Sequence, residues 1–205
     1  MAKHAGKLAI AMGAALILSA LALFLHNRLE DRRAGEQAQA VLEELQGVMV
    51  TTPPTTQPEE TIRETEQTQP TLPPDMPEVM LQGYAYIGTL SIPTLELELP
   101  VMAQWDYSRL RLAPCREQGS TRTGDLVIAA HNYDSHFGRL KLLHIGDTVT
   151  ITEAEGMVFT YQVADRATLD PMDTQTVYES PYPLVLYTCT PGGETRVAVF
   201  CQEIP

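Results

Sequence analysis

The 205-residue sequence predicts an all-β domain, a closed or nearly closed β-barrel with short helices, carried behind a transmembrane helix and a disordered linker. Three observations predict it. Leu8 to Leu25 is an unbroken apolar run of 18 residues. Thr51 to Pro77 holds seven prolines and eight threonines. From Met80 to Pro205, short β-rich runs alternate with turn signals such as Gly146-Asp147 and Glu155-Gly156.

Residues 1–29 form the first unit. The apolar run approaches the roughly 20 residues that a bilayer-spanning helix needs. A cleaved signal peptide is the rival reading, but its apolar core is usually about 7–15 residues, and here the run continues past the small-residue site Ala20-Leu21-Ala22. Lys3 and Lys7 flank one side and Arg28, Arg32 and Arg33 the other, so charge does not decide orientation. The acidic, Thr/Pro-rich remainder favours a single-pass protein with its domain outside the cytoplasm.

Residues 30–49 form the second unit. They are rich in helix formers, and Ala38, Val41, Leu42 and Leu45 recur at helical spacing, which predicts a short amphipathic helix. Residues 50–79 are the linker. From Thr51 to Pro77 the only aliphatic residues are Ile62 and Leu72, too few to offset the entropy of ordering, and the segment reads as an extended spacer between membrane and domain.

Residues 80–205 are the folded domain. Strands are expected near Tyr84–Ile92, Leu97–Met102, Leu126–Ala130, Thr148–Thr152, Val158–Ala167, Leu184–Cys189 and Arg196–Glu203. Short helices are expected within Asp106–Leu112 and Ser135–Leu143. So many strands with so few helices favour a barrel over a layered α/β fold.

Net charge is −12, and Lys141 is the only lysine beyond the first ten positions, which argues against a nucleic-acid partner. Cysteine is odd in number: Cys115, Cys189 and Cys201. Cys115 and Cys201 admit pairing in an oxidising compartment, which leaves one thiol over as a candidate reactive group, or all three stay thiols with two of them packing as small hydrophobes.

The chemistry concentrates at strand ends. Leu126-Val-Ile-Ala-Ala-His131 is an apolar strand closing on small residues and then a histidine, with room beside the ring for a substrate backbone. His136, in a looser polar stretch, is the poorer candidate. Leu184-Val-Leu-Tyr-Thr-Cys189 ends in a thiol before a Pro-Gly-Gly turn, and a thiol at a strand terminus is accessible where a mid-strand thiol is inert. Arg196 opens the last strand, one hairpin away, where a guanidinium can stabilise a developing oxyanion. Each has a plain structural reading alone; together they supply a nucleophile, a proton-transfer group and an electrostatic stabiliser.

Val185-Leu186-Tyr187-Thr188-Cys189 resembles the Thr-Leu-x-Thr-Cys signature of the sortases of Gram-positive bacteria, with Val in place of the first Thr. Ile87-Gly-Thr-Leu-Ser-Ile-Pro93 with Leu99-Pro-Val101 resembles their opening hairpin, and the block from Leu126 through His131 to Gly146-Asp147 their histidine segment. The resemblance implies an eight-stranded barrel and a cysteine transpeptidase with Cys189 as nucleophile, His131 as proton carrier and Arg196 as oxyanion stabiliser. Ala130, Asn132, Leu186, Tyr187 and Thr188 are the expected substrate contacts. It implies cleavage of an LPxTG-like sorting signal through a thioacyl enzyme, resolved by an amine from a cell-wall precursor or a pilin lysine. No cofactor is required by that chemistry. Family members sometimes bind calcium, for which Glu153, Glu155, Asp170 and Asp173 are the acids at hand; the plainer reading of these is a solvated face. Rival readings are another secreted cysteine hydrolase and a membrane-tethered binding module without catalysis.

Overall fold

The computed structural model describes residues 2–51 and 74–204; the expected linker falls largely outside them. One helix, α1 (Ala2–Thr51), precedes nine strands. These are β1 (Val79–Leu81), β2 (Tyr84–Ile92), β3 (Leu97–Met102), β4 (Cys115–Gln118), β5 (Leu126–Ala129), β6 (Thr148–Glu153), β7 (Val158–Leu169), β8 (Leu184–Cys189) and β9 (Arg196–Glu203). A one-turn helix, α2 (Gln175–Tyr178), crosses from β7 to β8.

The strands run in the order β1-β2-β3-β4-β5-β8-β9-β7-β6, and β6 pairs back onto β2, closing β2 to β9 into an eight-stranded barrel. β1 is appended, taking Tyr84–Tyr86 of the β2 edge while β6 takes Gly88–Ser91. The closure depends on Gly88. Its φ is +142°, and a Cβ there would lie 1.9 Å from the Thr152 carbonyl oxygen, so only glycine lets β2 and β6 approach.

Alternation along the strands sorts the core into layers. Leu184 and Leu186 join Ile87, Leu90, Val101, Ile128, Ile151 and Val199 in the main cluster inside the barrel. Val185 faces the other way, with Val127, Ala198 and Phe200, under Val177 of α2. A third layer holds Val41 and Leu45 of α1 against Leu81, Tyr86, Met102 and Cys115. Cys115 and Cys201 thus sit in different layers, and all three cysteines are free, so no Cys115–Cys201 bridge forms.

Two expectations change around α1. The separate helix expected over residues 30–49 is the distal part of one continuous helix that begins in the apolar run. It also docks directly on the barrel: Ala34, Ala38, Val41, Leu42 and Leu45 are buried, Gln46 donates to Glu98 (2.7 Å), and Gln82 donates to Glu44 (2.9 Å). The spacing between apolar run and barrel is therefore set by a docked helix and not by the Pro/Thr-rich segment. Among the described residues, this is the one helix long and apolar enough to cross a membrane.

Candidate active site

Pairing register brings the three chemical residues to one rim. β5 and β8 run parallel, with Ala129 opposite Tyr187. Parallel neighbours end at the same side of a sheet, so His131 and Cys189, each two residues further on, emerge together. β8 and β9 then pair antiparallel with Cys189 opposite Arg196. The hairpin between them is fixed by Gly192 (φ +89°) and Gly193 (φ +78°), two left-handed positions in succession that favour glycine. Thr190 and Thr195 close it, the Thr190 N–H donating to the Thr195 carbonyl (3.0 Å) and the Thr195 N–H to the Thr190 hydroxyl (3.1 Å).

His131, Cys189 and Arg196 all line one cavity of about 200 Å³. Ala130, Tyr187 and Thr188 line it too. The expected contact at Leu186 is a correction: this side chain is fully buried inside the barrel, because alternation turns it away from Tyr187. Asn132 lies just outside, in a neighbouring crevice between the His131 loop and α1.

Thr188 links the two strands that end in the candidate residues His131 and Cys189. Its buried hydroxyl donates to the Ala130 carbonyl (2.8 Å), and the Ala130 N–H donates to the Tyr187 carbonyl (3.2 Å). Burial, and then the Arg111 charge, hold the His131 imidazole below the usual histidine range. The Arg196 Nη1 donates to the Gly193 and Thr195 carbonyls, both at 3.1 Å, which fixes the guanidinium on its own hairpin with its other nitrogens free of partners among the described residues. Cys189 is partly exposed, whereas burial pushes the Cys115 and Cys201 thiols up to about 12. A buried thiol that cannot ionise is a poor nucleophile, which leaves Cys189 as the accessible one.

The far walls were not anticipated from sequence. Trp105 and Tyr107, in edge-to-face contact at 5.1 Å, close one side, and Pro171, Val177 and Tyr178 the other. Tyr178 and Tyr187 are held by Glu117, which accepts from both hydroxyls. Trp105 and Tyr107, two aromatics close together between strands, were the available clue, but which aromatics would converge depended on tertiary pairing.

The four candidate calcium acids do not come together as one group of ligands among the described residues. Glu153 is not on a solvated face: its side chain is fully buried and its carboxylate takes the Arg122 guanidinium (Nη2 2.6 Å, Nε 3.2 Å to either oxygen) together with the Thr121 hydroxyl. Glu155 reaches the same guanidinium at 3.4 Å, so the position a metal would need is held by arginine. Asp170 and Asp173 accept from the Met172 and Thr176 N–H groups of their own loop, and no group of three or more metal-ligating side chains occurs among the described residues.

The model of the sortase domain matches residues 90–204. This chain belongs to the sortase family. Among solved structures, sortase C1 of Streptococcus suis is similar at 25% identity and TM-score 0.52, over 58% of this chain and 73% of that one. A lid mutant of sortase A from Corynebacterium diphtheriae is similar at 25% identity and TM-score 0.53, over 58% and 70%. A sortase D5 transpeptidase of Clostridium perfringens shares the fold at 19% identity and TM-score 0.51, over 58% and 79%. No match was found among curated protein sequences. Neighbours named as classes A and C at equal identity leave the sortase subclass open. Sortases are cysteine transpeptidases, and this sortase is accordingly of the transpeptidase type, preceded by an apolar helix long enough for an anchor or a signal sequence.

Proposed function

We propose that this sortase cleaves an LPxTG-like sorting signal and joins the acyl portion to an amine, with Cys189, His131 and Arg196 as its catalytic residues. The single observation that supports it best is the convergence of those three on one cavity through the β5–β8 and β8–β9 registers. The Cys189 Sγ passes its proton to His131 and attacks the carbonyl carbon after the signal's Thr. Arg196 donates to the oxygen as it becomes negative, through nitrogens its hairpin leaves free. As the C–N bond breaks, His131 gives its proton to the departing amine, leaving a thioester. An incoming amine then attacks that carbonyl and loses a proton to His131, which passes it to the sulfur as the C–S bond breaks, returning the thiol. A lowered histidine pKa makes the imidazolium scarcer at neutral pH but a stronger acid toward a poor leaving amine. The aromatic wall at Trp105 and Tyr107 suits the apolar part of the signal, and Ala130 leaves room for its backbone. The acceptor is a cell-wall precursor or a pilin lysine, and the apolar helix anchors the enzyme with its barrel outside the cytoplasm. Neither calcium nor another cofactor enters these steps.

The test takes the full chain in detergent with a library of LPxTG-like peptides and triglycine, beside Cys189→Ala, with products followed by mass spectrometry. A Cys189-dependent amide product is expected and names the motif. Cleavage without ligation would favour the hydrolase reading, and no product from folded, reduced protein would refute catalysis at this cavity.

A further inference from the structure

The loop that begins at His131 is tied at three places. Its start is held to β8 through Ala130 and Thr188. Its end is held by Phe137, fully buried in the main cluster, whose N–H donates to the His131 carbonyl (3.1 Å). Its apex, Ser135, is held by α1. The Ser135 N–H donates to Asp31 Oδ1 (3.0 Å), and its hydroxyl lies between that oxygen (2.6 Å) and the Asp31 carbonyl (3.0 Å). Gly35, one turn on, makes the approach close: a Cβ there would sit 3.0 Å from the Ser135 Cβ.

Inside this clamp the rings are in sequence. His131 lies 5.0 Å from Tyr133, and Tyr133 lies 5.5 Å from His136. His136 is fully buried, and neither ring nitrogen has a hydrogen-bond partner among the described residues. The helix–loop contact therefore bears on the catalytic imidazole through packed rings.

Resting on the catalytic reading above, we infer that Asp31 of the helix that leaves the apolar run is a positioning residue for His131, acting through Ser135. The surroundings of His131 comprise Arg111 from the turn before β4, Tyr133, Asp134 and His136 from its own loop, Cys189 and Arg196 from β8 and β9, and Arg28, Glu30 and Asp31 from α1. Burial is the main cause that lowers its pKa, so a loosened loop that admits water raises it.

The decisive comparison is Asp31→Ala against Asp31→Asn in the full chain. Both lose the charge, and only Asn keeps an oxygen for Ser135. With the peptide and triglycine assay, Asp31→Asn is expected within about threefold of wild type. Asp31→Ala is expected to lower kcat about 10- to 100-fold with KM unchanged, the scale of a misplaced catalytic group. NMR of 13C-labelled histidines, with His131→Gln for assignment, is expected to show His131 titrating at higher pH in Asp31→Ala than in Asp31→Asn. Equal kcat and equal titration in the two variants overturn the inference. Were wild type to show no Cys189-dependent turnover, the catalytic reading would fall, while the histidine titration would still decide the clamp. Should Asp31→Ala not fold, Ser135→Ala against wild type carries the same readouts.

Discussion

Removing the charge of Glu153 is expected to weaken the barrel more than any other single carboxylate change. The Glu153 side chain is fully buried and Arg122 is 4% exposed, so Glu153→Gln removes the buried carboxylate charge that faces a nearly buried guanidinium. Breaking a buried pair from one side costs about 3–5 kcal/mol. Glu155, at 3.4 Å but 59% exposed, can offset at most about 1 kcal/mol of that. The expected net loss is about 2–4 kcal/mol, or roughly 8–20 °C in Tm for a unit of this size. Replacing both partners by apolar residues, Arg122→Met with Glu153→Leu, removes both buried charges and is expected to recover most of the loss.

Trp105 is the only tryptophan and lines the cavity that holds Cys189, so its fluorescence follows barrel unfolding in urea. A double-mutant cycle should give a coupling of at least about 1.5 kcal/mol, within the range for side chains in direct contact. It should change little with added salt, since a buried pair is poorly screened. A Glu153→Gln loss under about 1 kcal/mol, or simple additivity, would refute the argument that this pair is desolvated and coupled.

Three further outcomes are expected. His136 is pushed down to about 4, first by burial and then by His131, with Asp31 opposing. Between about 6.5 and 4 the unfolded chain then binds the extra proton, so stability is intact above pH 6.5 and falls by up to roughly 3 kcal/mol toward pH 4. His136→Met should flatten that slope in urea melts at pH 7 and 4.5; equal slopes would exclude the histidine. Gly88→Ala meets the Thr152 carbonyl at the barrel closure and is expected to lose more than about 3 kcal/mol, so a wild-type urea midpoint would contradict the closure geometry. Thr188→Val keeps the shape but leaves the Ala130 carbonyl without its side-chain donor, an expected loss of about 1–3 kcal/mol in the same melts.

The strands that carry the chemistry were legible because their patterns are apolar and sharply bounded. Tyr84–Ile92, Leu97–Met102, Leu184–Cys189 and Arg196–Glu203 fall where periodicity and turns put them. β4 was not legible, and the reason is physical. Only Cys115 of its four residues meets a hydrophobic layer, while Arg116 pairs with Glu78 (2.9 Å), Glu117 takes two tyrosine hydroxyls, and Gln118 donates to the Tyr178 carbonyl (3.0 Å). A strand held by specific polar partners has no binary pattern to read. The expected helix over Asp106–Leu112 shrinks to a 3-10 turn over Arg109–Arg111, where Asp106 accepts from the Ser108 and Arg109 N–H groups (2.7 and 2.8 Å). His131, Cys189 and Arg196 were visible as strand-end residues, but nothing local showed that β5 and β8 run parallel, and that register is what brings them together.

The same limit applies to α1, and there it has a functional consequence. Ala38, Val41, Leu42 and Leu45 announced an amphipathic face without saying what it covers. Because that face docks on the barrel and the helix is unbroken from the apolar run, the height of the cavity is a matter of helix rise. At 1.5 Å per residue, Asp31 stands about 9 Å beyond Leu25. Under the anchored reading, this is just outside the headgroup layer, which is roughly 5–8 Å deep on each side of a 30 Å core in a bilayer of about 40–45 Å. The His131 loop, held to Asp31, is then fixed at the membrane surface and cannot swing out on a tether. A sorting signal or an acceptor that is itself membrane-bound would meet the thiol of Cys189 in two dimensions and at nearly constant depth, so the helix contributes both the position of the imidazole and the position of the whole cavity.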